Sequence, residues 1–172
     1  MDIREHQRAL RERYQTGDGA LQTITVRSGA SDLADPLHCA HTPDSLPTIT
    51  WRSGAHPAVG GEGDVPCSVD LLLAALAACQ ETTLRLVAAN HGIELAAVDV
   101  VAEADWDPRG TLGMGRDYPI GLTGIRCTTT VKLAGEIDEE RAARFLRSAE
   151  RYCVVLATLR EAPPVEATLT IA

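Results

Sequence analysis

Aromatic residues and positive charge are both scarce in this 172-residue chain. Aromatic residues make up 3% of the sequence, and 24 acidic residues outnumber 16 Lys and Arg, which gives a net charge of −8 at pH 7. Nucleic acids are bound through basic surfaces and, when single-stranded, through aromatic stacking. We therefore predict that nucleic acid is not a partner. With so few rings, the core must be built from aliphatic side chains, for which an apolar content of 45% is sufficient.

Several motifs are also missing. The chain has no GxGxxG, no P-loop and no CxxC, so we predict no nucleotide cofactor and no metal. His38, Cys39 and His41 are too close in sequence for the usual zinc site. No run of about 18 apolar residues occurs and the N-terminus lacks an apolar segment, so we predict neither a membrane span nor a secretory signal. We expect a cytoplasmic protein whose five cysteines are reactive or buried thiols rather than a disulfide framework.

Hydrophobic periodicity predicts an α+β fold in which a mostly antiparallel sheet packs on a buried central helix. We treat residues 1–172 as one domain, with residues 1–20 as an N-terminal arm or helix. The predicted helices are 2–15, 68–91 and one that Asp138 caps; the predicted strands are 21–27, 37–42, 48–52, 94–106, 125–133 and 165–171, with an ordered loop at 53–66 and a turn at 107–110.

The helix predicted over 68–91 is the most distinctive segment. Ser68 is the expected N-cap and Gly92 the expected stop. Residues 71–79 are apolar around the whole helix, which predicts that every side is covered. One sheet in a chain of this length covers only part of that circumference, and the alanines allow a second helix to approach closely. We therefore predict a homodimer.

Two cysteines lie at inward positions of predicted helices. Cys79 lies about three turns into the long helix, where apolar surroundings alone would raise its pKa and make it inert. A working Cys79 would need a cation from another segment or subunit. Cys153 ends the inward stripe of the helix that Asp138 caps, after Leu146 and Ala149. Both are open to two interpretations, a reactive thiol or a small core residue.

The other three cysteines are assigned separately. Cys127 lies on the apolar face of a predicted strand and Cys39 alternates with Leu37, which indicates structural roles for both. Cys67 immediately precedes the predicted N-cap, where a helix N-terminus favours a thiolate, so a redox role for it stays open.

Four segments resemble the OsmC/Ohr family. Residues 67–79 (CSVDLLLAALAAC) are similar to the helix that carries the family's reactive cysteine, and residues 60–63 (GGEG) are similar to the glycine loop before it. Residues 152–159 (YCVVLATL) resemble the Cys-Pro-Val segment that holds the second cysteine. Residues 164–169 fit the last strand, and the turn at 107–110 resembles some OsmC-like members.

The resemblance implies an intertwined α+β homodimer that reduces organic hydroperoxides. By this analogy Cys79 attacks the peroxide and becomes a sulfenic acid, Cys153 condenses with it to a disulfide, and an external dithiol reductant restores both thiols. A family Arg and Glu polarise the thiolate and the peroxide. The alternatives are a non-catalytic dimer that binds a small apolar ligand, and a structural protein in which both cysteines belong to the core.

The chain departs from the family pattern at two positions, and the family Arg has no aligned counterpart. Val69 stands where the hydroperoxide-resistance branch places its Glu, and Val154 replaces the family proline. Arg27 and Arg52 are the candidates for the family Arg.

Overall fold

The computed structural model describes residues 3–17, 19–29 and 31–171. These residues form two compact units, the first within Met1–Ala74 and Ala102–Cys127 and the second within Ala75–Val101 and Thr128–Ala172. The helices are α1 Ile3–Gln15, α2 Ser68–His91, α3 Pro108–Thr111, α4 Glu139–Arg151 and α5 Val154–Arg160. The strands are β1 Val26–Arg27, β2 His38–Pro43, β3 Trp51–Gly54, β4 Leu95–Asp105 and β5 Gly124–Leu133.

Helix α2 has the length that the sequence predicts, but its N-cap is one residue earlier. The carbonyl of Cys67 accepts the first helical hydrogen bond, from the Leu71 N–H at 3.1 Å. The Asp70 carboxylate reaches back and accepts from the Cys67 N–H at 2.8 Å, as in a capping box. Cys67 rather than Ser68 therefore occupies the cap. At the other end Gly92 adopts φ 61°, a left-handed conformation that favours glycine.

The first unit contains an antiparallel three-stranded sheet in the order β1-β2-β3. Cys39 pairs with Ser53 and Ala40 with Arg52 across β2 and β3. The predicted strand at 21–27 is mostly wrong, because only Val26–Arg27 joins the sheet, whereas the strands predicted at 37–42 and 48–52 are present with shifted bounds. The predicted turn at 107–110 is the start of α3 instead.

The second unit holds the hydrophobic core. Leu84, Val87 and Ala88 of α2 pack with Phe145 and Ala149 of α4. Side chains of the β4–β5 sheet, which is antiparallel, cover this cluster: Leu95, Val98, Val131 and Leu133. An α+β fold with antiparallel sheets is thus confirmed, and so is the Asp138 N-cap, whose carboxylate accepts from the Arg141 N–H at 2.7 Å.

Two apolar surfaces that the sequence assigns to covered positions are exposed in the single chain. Leu72, Ala74, Ala75 and Ala78 of α2 are exposed, so the expectation that the helix is buried on every side fails within one chain. The strand predicted over 165–171 is not formed. Those residues have no regular structure, and the apolar ones among them are almost fully accessible.

By length and composition alone, helix α2 is also able to cross a membrane. No membrane span was predicted from the sequence. Of its most apolar 18-residue window, 28% is buried. A single helix of this kind is weak support for a membrane span, because the core helix of a soluble protein passes the same test.

Candidate thiol site

Cys153 lies at a different place in the fold from the one its spacing predicts. Helix α4 ends at Arg151, and Cys153 is the N-cap of α5, with φ −75° and ψ 102°. Its carbonyl accepts from the Ala157 N–H at 3.0 Å, which starts the new helix. The predicted inward stripe is wrong at Leu146, whose side chain is 50% exposed, while Ala149 and Cys153 are fully buried.

The structure brings Cys79 and Cys153 into hydrogen-bonding contact within the second unit. Cys79 is partly buried in the middle of α2. The Thr83 hydroxyl, one turn later on the same helix, lies 4.0 Å from its sulfur. The backbone N–H groups of Val154 and Val155, at the first turn of α5, also donate hydrogen bonds to this sulfur.

These contacts set the pKa of Cys79. Burial raises it, but hydrogen bonds from the Val155 N–H, the Cys153 thiol, the Thr83 hydroxyl and the Val154 N–H outweigh burial, so the pKa of Cys79 is lowered overall. Burial thus acts in the direction expected from the apolar surroundings alone, and the hydrogen bonds reverse the net direction. Two of these four donors are backbone groups of another helix, and none of the four is a cation.

The pKa of Cys153 moves in the opposite direction. Burial raises the pKa of Cys153 most, and the Leu156 N–H opposes it. The hydrogen bond and charge of Cys79 then raise the pKa further, the Val155 N–H lowers it least, and the net direction is upward. The lowered pKa favours the thiolate form at Cys79, and the raised pKa favours the thiol form at Cys153. This arrangement places a nucleophile beside a protonated partner with which it can form a disulfide.

The remaining cysteines lie elsewhere. Cys67 is buried at the α2 N-cap, and Cys127 is partly buried on β5. Cys39 lies 3.3 Å from His41 Nε2 and 3.2 Å from Ser53 Oγ. Because neighbouring strand residues point to opposite faces, His38 is directed away from Cys39 and His41, so these three do not form one ligand set.

The two arginine candidates have other partners. Arg27 forms a two-pronged ion pair with Asp44, both contacts at 2.8 Å. Arg52 lines a cavity of about 330 Å³ in the first unit together with His38. Neither arginine contributes to the lowered pKa of Cys79.

A larger cavity of about 450 Å³ lies in the first unit at the start of α2. Val69, which stands at the position of the family Glu, lines it. The ring of Trp106 also lines it and contacts His56 edge-on at 5.5 Å between ring centroids. Sequence reasoning missed this cavity, because its lining comes from four separate segments. Asp70, the nearby carboxylate, is engaged by the helix cap.

An α+β protein with a hydrogen-bonded pair of cysteines, one with a lowered pKa, belongs to the class of candidate thiol-redox proteins. The model of the OsmC-like protein family matches residues 61–168, and this chain belongs to that family. No curated protein matches the sequence.

Solved structures share the fold at low sequence identity. An OsmC-like protein from Mycoplasma pneumoniae has a TM-score of 0.63 at 16% identity, covering 82% of this chain and 89% of its own. An organic hydroperoxide resistance protein OsmC from Legionella pneumophila has a TM-score of 0.54 at 18% identity, covering 83% and 92%. The organic hydroperoxide resistance protein OhrB of Bacillus subtilis has a TM-score of 0.52 at 20% identity, covering 83% and 94%.

Proposed function

We propose that the protein is a thiol-dependent peroxidase that reduces organic hydroperoxides through Cys79, with Cys153 as the resolving thiol. The observation that carries this proposal is the hydrogen-bonded pair whose two pKa values move in opposite directions. Family membership supports the choice of organic hydroperoxides as substrate, and so do the Legionella and Bacillus neighbours, which are named as organic hydroperoxide resistance proteins.

In the first step the Cys79 thiolate attacks the terminal oxygen of the hydroperoxide. The O–O bond breaks, the alcohol leaves after taking up one proton, and Cys79 becomes a sulfenic acid. In the second step the Cys153 sulfur attacks the Cys79 sulfur, and one water leaves as the disulfide forms. An external dithiol then reduces this disulfide by two thiol–disulfide exchanges and is itself oxidised.

The roles of the two cysteines follow from their surroundings. Only a thiolate is an effective nucleophile, and the N–H donors of α5 stabilise that form at Cys79. The raised pKa of Cys153 favours its protonated form, and its full burial protects it from direct attack by peroxide. It acts only after the sulfenic acid forms next to it.

The test is a thiol count before and after one equivalent of an organic hydroperoxide. Wild-type protein should lose two thiols and gain one intramolecular disulfide, located by peptide mapping between Cys79 and Cys153. The Cys127→Ser variant is the matched control, because it removes a partly buried cysteine outside the pair and should behave like wild type. A wild-type protein that loses no thiol contradicts the proposal.

A homodimer is part of this proposal. The apolar residues exposed along the first half of α2 and over 165–171 are surfaces that a second copy would cover. Contact with a second copy would also account for the low burial of α2 in a single chain. Close approach of two α2 helices is favoured by the exposed side chains of Ala74, Ala75 and Ala78, which are small.

A second candidate function, binding of a small apolar ligand without turnover, is favoured by the 450 Å³ cavity. Its lining includes the apolar side chains of Val59, Leu73, Trp106, Ile120 and Leu122. If the thiols do not react with hydroperoxide, an apolar ligand that raises the melting temperature would support this function, and Leu73→Gln should abolish the increase.

A further inference from the structure

A histidine and two carboxylates converge in the first unit, away from the cysteine pair in sequence. His38 is the first residue of β2, and Glu62 and Asp64 lie in the loop before α2. One ligand atom from each residue lies within 4.8 Å of the other two. The His38 side chain is 12% exposed, whereas the carboxylates of Glu62 and Asp64 face solvent. The cluster is therefore buried on its histidine side and open to solvent on its carboxylate side.

The two ring nitrogens of His38 have different environments. Nδ1 lies 2.7 Å from a carboxylate oxygen of Asp35, and Nε2 lies 2.9 Å from Asp64 Oδ1. A carboxylate on one ring nitrogen is the usual outer partner of a metal-binding histidine, because it fixes the ring and leaves the other nitrogen to the metal. Asp35 has that position here, and Nε2 contacts Asp64, whose carboxylate is grouped with that of Glu62.

The loop that carries the carboxylates is held in place by its backbone. Gly60 and Gly63 have φ values of 96° and 75°, which glycine adopts without strain. A side chain at Gly61 would overlap the Ala55 carbonyl, since a Cβ there would lie 1.7 Å from its oxygen. The Gly61 N–H also donates to the His56 carbonyl at 3.1 Å. Glu62 and Asp64 therefore start from a loop whose conformation is already set.

We propose that His38, Glu62 and Asp64 bind one divalent metal ion, of the kind that accepts imidazole and carboxylate ligands together, such as Mn²⁺ or Zn²⁺. Nitrogen and oxygen donors of these types suit both ions. Water completes the coordination on the open side. Metal binding replaces the direct His38–Asp64 hydrogen bond with two bonds to the ion, and Asp35 acts as a positioning residue behind the ring.

Mn²⁺ is the probe, because the five free cysteines would compete for Zn²⁺. The full-length, reduced protein is freed of metal with a chelator and titrated with Mn²⁺, and the loss of the electron paramagnetic resonance signal of aqueous Mn²⁺ measures binding. We expect one Mn²⁺ per chain. Glu62→Gln and Asp64→Asn should weaken binding more than Asp35→Asn does, for which a loss of about 10- to 100-fold is typical of an outer partner.

Two controls isolate the site. Glu136→Gln removes an exposed carboxylate in the loop between β5 and α4 and should leave Mn²⁺ affinity unchanged. Cys79→Ser should also bind Mn²⁺ normally, which separates this inference from the thiol chemistry. The inference is overturned if wild type binds no Mn²⁺ at millimolar concentration, or if Glu62→Gln and Asp64→Asn bind it as wild type does. An exposed residue such as Glu62 can be replaced without loss of fold, as circular dichroism would check.

Discussion

The backbone N–H of Val154 offers a direct test of how Cys79 becomes a thiolate. This N–H donates to the Cys79 sulfur, and Val154 is the first residue of α5. Proline has no N–H but is well suited to the first position of a helix. The extended backbone of Cys153, with ψ 102°, is also what a residue before proline requires. Val154→Pro should therefore remove one donor and preserve the helix.

The size of the effect follows from the hydrogen bond that is lost. The Val154 N–H contributes less than the Val155 N–H, Cys153 or Thr83, so a modest hydrogen bond of about 0.5–1.5 kcal/mol is appropriate. At about 1.4 kcal/mol per tenfold change, the thiolate fraction at a pH below the pKa of Cys79 should fall about 2- to 12-fold. At high pH, where the thiol is fully ionised in both proteins, the difference should disappear.

The assay is the rate of alkylation of Cys79 as a function of pH, measured by mass spectrometry of the peptide that contains it. Val154→Pro should move the profile to higher pH, because its thiolate is less stable. Val154→Ala is the matched control: it keeps the N–H and shortens a side chain that is 68% exposed, so its profile should follow that of wild type. Equal profiles for Val154→Pro and wild type, or equal shifts in the two variants, would refute the role of this N–H.

Four further results are expected. Cys79→Ser should consume no hydroperoxide. Cys153→Ser should consume about one equivalent and stop as a sulfenic acid, which a dimedone adduct would detect. If Cys153→Ser does not consume this first equivalent, the roles of the two cysteines are shared or reversed. Sedimentation of the wild-type protein at micromolar concentration should give twice the 18.4 kDa chain mass. Leu72→Glu, which places a charge on an exposed apolar position of α2, should give a smaller mass. A wild-type monomer would contradict the dimer. Phe145→Ala should lower the free energy of unfolding, measured by urea denaturation, by about 3–5 kcal/mol, because Phe145 is 1% exposed. A loss below about 1 kcal/mol would mean that the core collapses around the cavity left by the ring. Asp138→Ala should cost about 1 kcal/mol, and Asp138→Asn much less, because asparagine also caps; equal losses would exclude the cap as the cause.

Local patterns predicted most of the fold because they depend on near neighbours. The bounds of α2 follow from the apolar run that begins after Ser68 and from Gly92 as the stop, and the alternation of β4 and β5 identifies their inward faces. The failures are segments that depend on distant partners. Residues 21–25 and 165–171 alternate as strands do, but a strand forms only where another strand pairs with it, and sequence periodicity does not reveal the partner.

The candidate site also combines features that the sequence predicts with features that depend on distant residues. Spacing and family resemblance were enough to single out Cys79 and Cys153. Their environments were not predicted, because Cys153 belongs to the α5 cap rather than to α4, and that break at Tyr152 carries no proline or glycine signal. The cluster around His38 was missed because the sequence analysis considered only ligands close to it in sequence, whereas Glu62 and Asp64 come from a loop more than 20 residues later.

The opposite pKa directions of the two cysteines have one structural origin. Burial raises the pKa of both thiols, so burial alone would leave two inert groups. The difference arises because α5 begins at Cys153 and directs the N–H groups of Val154 and Val155 toward Cys79, while the proximity of Cys79 itself holds the proton on Cys153. The residue proposed to resolve the sulfenic acid is thus also the N-cap of the helix whose N–H groups lower the pKa of Cys79. Disulfide formation must move the Cys153 sulfur toward Cys79, so oxidation and the geometry of the α5 start are coupled through a single residue.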